Sequence, residues 1–334
     1  MARPIEEFAM AWQALSGNGG GEGWRCISVS PAGPCPIMAA RRFPGNEEAM
    51  LAGFHAAKAP SKDALPEGVG FEVAREDPHG DGKTWIALTR KDSGGEEMFA
   101  EMVCDVVGTM DAFAGAGEDA VLRAMLSRIR AWQEFMRRTP RGLSPEAEVG
   151  LAGELTFLDL LLGAGMNASS AVESWLGPTG GIQDFEIGSG SVEVKATLSG
   201  NGFPAKIGSL EQLDDSFRSP LFLAGVRFVQ GGAGSTLGDM ASALSEKLAA
   251  TPGAAADFAD RLVAAGFPPA HHGRYTRRFS TDSLRILEVD SDFPRFIPGN
   301  VADAIRRVKY ELDLDRLPGE GLSVSEVIER FGVA

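Results

Sequence analysis

The sequence predicts a mixed α/β (α+β) protein: an N-terminal β-rich domain, then a larger domain with a mixed central sheet flanked by helices. Three observations predict it. Apolar residues are 44% and charged residues 23% of the 334 residues, which supplies a substantial core. Short β-prone runs separated by Gly-rich turns dominate residues 1–115. Beyond them, apolar residues at helical spacing alternate with further β-prone runs. The expected division is a domain over 1–115, a connecting helix over 116–142, and a second domain over 143–334.

In the first part, "WRCISVS", "CPIMAARRF", "GFEVARE" and "KTWIALTRK" predict strands, and "SGNGGGEG", "LPEGVG" and "HGDGK" predict turns. "GEEMFAEMVCDVVGTMDAF" predicts a helix with Met98, Met102, Val106 and Met110 on a buried stripe. "DAVLRAMLSRIRAWQEFMRRTPR" predicts a second helix that buries Leu122, Leu126, Ile129 and Phe135. Residues 121–142 hold six arginines and one acid. Arg123, Arg130, Arg137 and Arg138 are spaced to form one positive face, either solvated or set against a phosphate backbone.

The second part opens on a helix. Ser144 suits the cap, Pro145 the first helical position, and Glu146 and Glu148 the first turn of "LSPEAEVGLAGELTFLDLLLGAG". "AVESWLGP" predicts a short helix running into a turn. "IQDFEI" and "SVEVKATL" predict paired strands joined by "GSGS", and "SPLFLAGVRFV" a more apolar, central strand. Two amphipathic helices meet around Pro252 and Gly253. "RYTRRFSTDSLRILEVD" and "IRRVKYELDL" are β-prone, "FPRFIPGNV" is a turn segment, and "SVSEVIERFG" is a last helix.

Composition excludes several classes. No apolar run reaches the roughly 18 residues needed to span a bilayer. The N-terminus "MARPIEEFAMAW" has no signal-peptide core, so a cytoplasmic location without membrane partners is expected. Cys26, Cys35 and Cys104 form no CxxC pair, and no histidine spacing matches a zinc site. His271 and His272, beside Arg274, suggest a solvated basic patch. A net charge of -14 argues against a non-specific nucleic-acid coat protein, but not against an enzyme with basic residues gathered on one surface.

Residues 143–194 contain eight acids and no Lys or Arg; the first base is Lys195. Oxygen-rich clusters of this kind suit Mg²⁺, which takes one or two carboxylates and keeps several waters. If the hairpin forms, Asp184 and Glu193 come within reach of one ion. Side chains alternate across a strand, so Glu193 and Lys195 share one face and Val194 takes the other. Two carboxylates and an ammonium group on one edge are equipped for phosphodiester hydrolysis. An isolated ExK is common by chance, and taken alone it is better explained by an ion pair within the strand. Trp175, just before the Asp strand, suits packing on the sheet or stacking on a base.

The order helix-Glu, Asp, ExK, apolar strand and helices resembles the PD-(D/E)XK nuclease superfamily, with its restriction-endonuclease-like fold. "GLAGELTFLDLLL", "AVESWLGPTGGIQDFEI", "VEVKATL" and "SLEQLDD", with "FPRF" and "VKYELDL", resemble a bacterial family of uncharacterised PD-(D/E)XK motif proteins. The resemblance covers most of the chain. It implies Asp184 and Glu193 as metal ligands, the carbonyl of Val194 as a third, and Glu154 as a further direct or water-mediated contact. It implies Lys195 as catalytic base or charge stabiliser, and Gln212 against the scissile phosphate or nearby backbone. Gln183 stands where the motif has Pro. Ser216, four residues after Gln212, is not the Tyr of a helicase-nuclease QxxxY motif.

The expected function is therefore a DNA endonuclease using Mg²⁺, with Mn²⁺ as a substitute, in a bacterial restriction or phage-defence system. Expected partners are double-stranded DNA, a methyltransferase or helicase of such a system, and a second copy in a homodimer. Arg130, Arg137, Arg138, Arg274, Arg277 and Arg278 are the candidate nucleic-acid contacts. The alternative is a nuclease-fold binding module that is inactive or latent without a partner subunit.

Overall fold

The N-terminal β-prone runs close into one antiparallel sheet. A computed structural model describes residues 5–17, 21–58, 60–68, 70–138 and 142–332. The chain forms two compact units, Met1–Arg141 with Pro268–Ala270, and Gly142–Phe267 with His271–Ala334.

In the first unit, α1 (Ile5–Leu15) precedes β1 (Gly23–Ala32), β2 (Cys35–Phe43), β3 (Glu47–Phe54), β4 (Phe71–Glu76) and β5 (Thr84–Arg90). The strands are antiparallel in the order β1-β2-β3-β5-β4. α2 (Glu96–Ala112) buries Met102, Val106 and Met110 of the expected stripe, leaves Met98 half-buried, and packs against α3 (Glu118–Arg138). Leu122, Leu126, Ile129 and Phe135 of α3 are buried as expected, and Trp132 donates to Asp105 Oδ2 of α2 at 2.7 Å. The helix expected as a connector is thus part of the first unit's core.

The second unit begins with α4 (Pro145–Gly163), whose cap Ser144 accepts from the Ala147 amide at 3.2 Å. There follow α5 (Ala168–Ser174), β6 (Phe185–Ile187), β7 (Gly190–Thr197), β8 (Pro204–Ile207), β9 (Leu221–Thr236), α6 (Leu237–Leu248), α7 (Pro252–Ala264), β10 (Arg278–Glu288), β11 (Tyr310–Asp313) and α8 (Val324–Phe331). The main sheet is mixed, in the order β10-β9-β7-β6: β7 and β9 run parallel and the outer pairs antiparallel. β8 and β11 form a separate antiparallel pair.

Both faces of this sheet are covered, which explains why β9 begins as an unbroken apolar run. Val192, Val194, Phe222 and Ala224 join the core containing Leu151, Ala152 and Leu155 of α4. Leu221 and Leu223 face the other way, into a smaller core with Phe203, Ala205, Leu213 and Leu314. α4 lies close on β7 because Gly153 has no side chain: a Cβ there would stand 2.7 Å from Ala196 Cβ. Gly153→Val is expected to push α4 off the sheet and lower stability by about 2–3 kcal/mol, as overpacking does. Urea denaturation checks this; a midpoint unchanged from wild type would contradict the close packing.

Candidate active site

A two-residue turn sets the site's register. Phe185 pairs with Val192 and Ile187 with Gly190, leaving Gly188 and Ser189 as the connection, with Gly188 at φ 56°. The turn is shorter than the "GSGS" expected, since Gly190 and Ser191 are already in the strand. This pairing sets Asp184, one residue before β6, across from Glu193. Asp184 Oδ2 accepts from the backbone amide of Val194 at 2.8 Å, which fixes the carboxylate against β7.

Strand alternation then sorts β7. Val192 and Val194 enter the α4-side core, while Glu193 and Lys195 take the opposite face. Glu193 is 1% exposed. Lys195 Nζ donates to Glu193 Oε1, so the intrastrand ion pair exists. It satisfies only one carboxylate oxygen: Glu193 Oε2 is buried and has no hydrogen-bond partner.

Glu154 reaches the same place from α4. Its Oε2 accepts from the indole of Trp175 at 2.6 Å. Trp175 is fully buried, and Arg261 donates to its carbonyl. Trp175 therefore packs and orients Glu154, and is not available for stacking on a base. Gly177 completes the wall: a Cβ there would stand 2.7 Å from Glu154 Oε2 and 2.9 Å from Asp184 Oδ1. Only a glycine lets the main chain approach both carboxylates.

Gln212 comes from the irregular segment between β8 and β9. Its Nε2 donates to Glu193 Oε1 at 2.8 Å, and its Oε1 accepts from the Gly208 amide at 2.6 Å. Glu154, Asp184, Glu193, Val194, Lys195 and Gln212 thus line one cleft of about 480 Å³. The structure brings all these residues together, although they are spread along the chain. It adds Lys206 and Arg277 to the lining. Sequence reading missed Lys206, because nothing local marks one exposed lysine on β8 as facing this cleft.

Burial dominates the electrostatics. Desolvation, then the neighbouring Asp184 charge, raises Glu154 well above the ordinary carboxylate range. Desolvation also raises Asp184, against the opposing pull of Lys195 and of the Val194 amide. Glu193 is pushed up to about 8 by desolvation and then by Asp184, although Lys195 opposes both. Burial works against the charge on Lys195, but the surrounding carboxylates outweigh it and its pKa is raised. Three carboxyl groups share one ammonium, so ionising all of them together costs more than Lys195 can offset.

The basic candidates are scattered. Arg277 lines the cleft, donates to Glu148 Oε2 at 2.9 Å and also bonds the Pro145 carbonyl. Arg278 is exposed, bonds the Gly234 carbonyl at 2.8 Å and pairs with Asp239 at 3.4 Å. Arg274 is exposed. Arg130 and Arg137 are exposed on α3 of the first unit, Arg137 paired with Glu134 at 2.6 Å. The side chain of Arg138 lies outside the described residues. His271 is buried and the His272 ring stacks on Phe267, so the expected solvated basic patch is not formed by these histidines: they pack into the fold.

A family model described as "Putative PD-(D/E)XK family member, (DUF4420)" matches residues 8–315. The chain belongs to this PD-(D/E)XK family. No curated protein and no solved structure matches it. PD-(D/E)XK nucleases generally use divalent metals. Among the described residues, no three His, Cys, Asp or Glu side chains are arranged to cage a metal ion. A Mg²⁺-type site does not need such a cage, since water supplies much of its shell. The unpartnered Glu193 Oε2 beside Asp184, in an open cleft, fits that smaller donor set. No helix among the described residues is long and apolar enough to cross a membrane.

Glu193 gives this PD-(D/E)XK chain a pH signature. Its folded value of about 8 lies above its ordinary 4.5. Between those values the folded chain keeps a proton that the unfolded chain has released, so this group's contribution to stability falls as pH rises. In EDTA at pH 8, Glu193→Gln should melt roughly 3–6 °C above wild type, the shift that one or two kcal/mol produces. The difference should vanish near pH 4. A wild type at least as stable as the variant at pH 8 would contradict the strained carboxylate.

Proposed function

We propose that the chain is a Mg²⁺-dependent DNA endonuclease, with Mn²⁺ as a substitute. The observation that carries this reading is one buried carboxylate in the cleft, Glu193, whose Oε1 holds the Lys195 ammonium while its Oε2 has no hydrogen-bond partner. Asp184 and Glu193 are the residues that would hold the cation, with the Val194 carbonyl, and with Glu154 acting directly or through water. Such an ion, when bound, polarises a phosphoryl oxygen and acidifies water.

The chain's own residues do the rest. Lys195, held charged by its carboxylate neighbours, orients the attacking water or stabilises charge developing on phosphate. Gln212 occupies a Glu193 oxygen and steadies that carboxylate. Lys206 and Arg277 bring positive charge to the same cleft, where a DNA backbone needs it. Arg130, Arg137, Arg274 and Arg278 are exposed and belong to this proposal as further backbone contacts. A restriction or phage-defence setting, methyltransferase or helicase partners and a homodimer are also part of it and rest on the family likeness alone; a cytoplasmic location is part of it too, on the sequence reading given above.

The net charge of -14 favours a second reading, in which the nuclease fold is latent until a partner supplies DNA affinity. Plasmid nicking separates the two. The endonuclease reading expects nicking with Mg²⁺ or Mn²⁺, none in EDTA, and a loss of at least about 100-fold in Lys195→Ala, the scale of removing one transition-state donor. Nicking that survives Lys195→Ala would contradict it. Mn²⁺ binding by calorimetry without nicking supports the latent reading instead.

A further inference from the structure

Gln212 reaches the cleft from a segment that is neither helix nor strand, so something other than a backbone ladder must hold it. Three successive carbonyls of that segment are taken by side chains from distant parts of the chain. Gln183 Nε2 donates to the Glu211 carbonyl at 3.0 Å and, at a longer 3.5 Å, to that of Gln212. Arg295 donates to the Leu213 carbonyl at 2.6 Å and pairs with Asp215 at 3.0 Å. Leu213 is itself fully buried in the smaller core. Gln183 is 5% exposed, and the Arg295 side chain 7%. Groups buried this deeply must be hydrogen-bonded to be tolerated, and the bonds they make are to the main chain on either side of Gln212.

We infer that Gln183 and Arg295 are positioning residues for Gln212. They pin its backbone from both sides, so that its amide nitrogen meets Glu193 Oε1 while its amide oxygen is turned to Gly208. The consequence lies in Glu193. Lys195 and Gln212 both occupy Oε1, which fixes the carboxylate's rotation and leaves Oε2 as the free oxygen. Without the pins, a segment lacking regular structure lets the Gln212 amide swing or flip, and an amide oxygen facing a carboxylate oxygen repels it. The same logic accounts for glutamine immediately before Asp184: proline has no side-chain donor with which to hold the Gln212 segment. It also gives a task to Arg295 of "FPRF", which bonds the Leu213 carbonyl and Asp215 just after Gln212.

The catalytic consequence rests on the nuclease reading; the positional claim does not, and the experiment keeps them apart. In the full chain, the Gln212 side-chain NH₂ signals are identified by NMR as those absent from Gln212→Ala. In wild type they should be shifted from free-glutamine positions and slow to exchange with solvent. In Gln183→Met, and in Arg295→Lys if it folds by its melting curve, they should move toward the free positions. In parallel, Gln183→Met should lower the cleavage rate about 10-fold, in the range for residues that orient an active group. It should cost nothing further in a Gln212→Ala background. Unchanged Gln212 signals in Gln183→Met would overturn the inference whether or not the protein cleaves DNA. An equal rate loss with and without Gln212 would overturn it as well, because a merely structural role does not depend on that side chain.

Discussion

Three carboxylates and one ammonium group crowd together where the β6–β7 hairpin meets α4, Glu193 buried and the other three half-buried. Charges in such surroundings repel more strongly than in solvent, and the fold opposes that repulsion with very little. Lys195 sits among the acids, the Val194 amide binds Asp184, and the Trp175 indole binds Glu154. The shortfall appears as raised pKa values and as one carboxylate oxygen with nothing bound to it. Much else in the second unit follows from holding this cluster still. Gly153 seats α4 on the strand that carries Glu193, Gly177 admits the main chain beside two acids, and the buried Gln183 and Arg295 secure the approach of Gln212. Proteins keep such strain where it serves function, and a folded site optimised only for stability would have replaced these acids.

The parts of this arrangement set by local rules were legible in the sequence. Strand alternation alone put Glu193 and Lys195 on one face with Val194 on the other. The Ser144-Pro145 pair marked the start of α4, and the Gly-Ser stretch marked the hairpin that sets Asp184 opposite Glu193. The apolar run at Leu221 gave the central strand. β3 was not recognised, because "EEAMLAGF" is rich in residues that favour helix; β2 and β5 on either side hold it as strand. α1 was likewise passed over, because its 11 residues carry only a short apolar pattern.

What was hidden depends on contacts between distant residues. Arg295 is 82 positions from the carbonyl it holds, and Gln183 is 28 from its own. No periodicity announces such pairs. Trp175 was ambiguous between packing and base stacking until its complete burial and its bond to Glu154 decided the matter. Lys206 and Arg277 join the lining only because β8 and the start of β10 are brought to the same cleft. The histidine pair misled for a related reason: polar residues in a loop suggested solvent, whereas His271 is buried and His272 stacks on Phe267.

The proposed function requires that this cluster bind a divalent cation. Anomalous diffraction from a crystal soaked in Mn²⁺ tests that most directly. The account predicts a single strong peak within coordinating distance, about 2.0–2.4 Å, of oxygens from Asp184 and Glu193, with water completing the shell. A fully loaded crystal with no peak in this cleft, or with the metal held elsewhere on the chain, would contradict it.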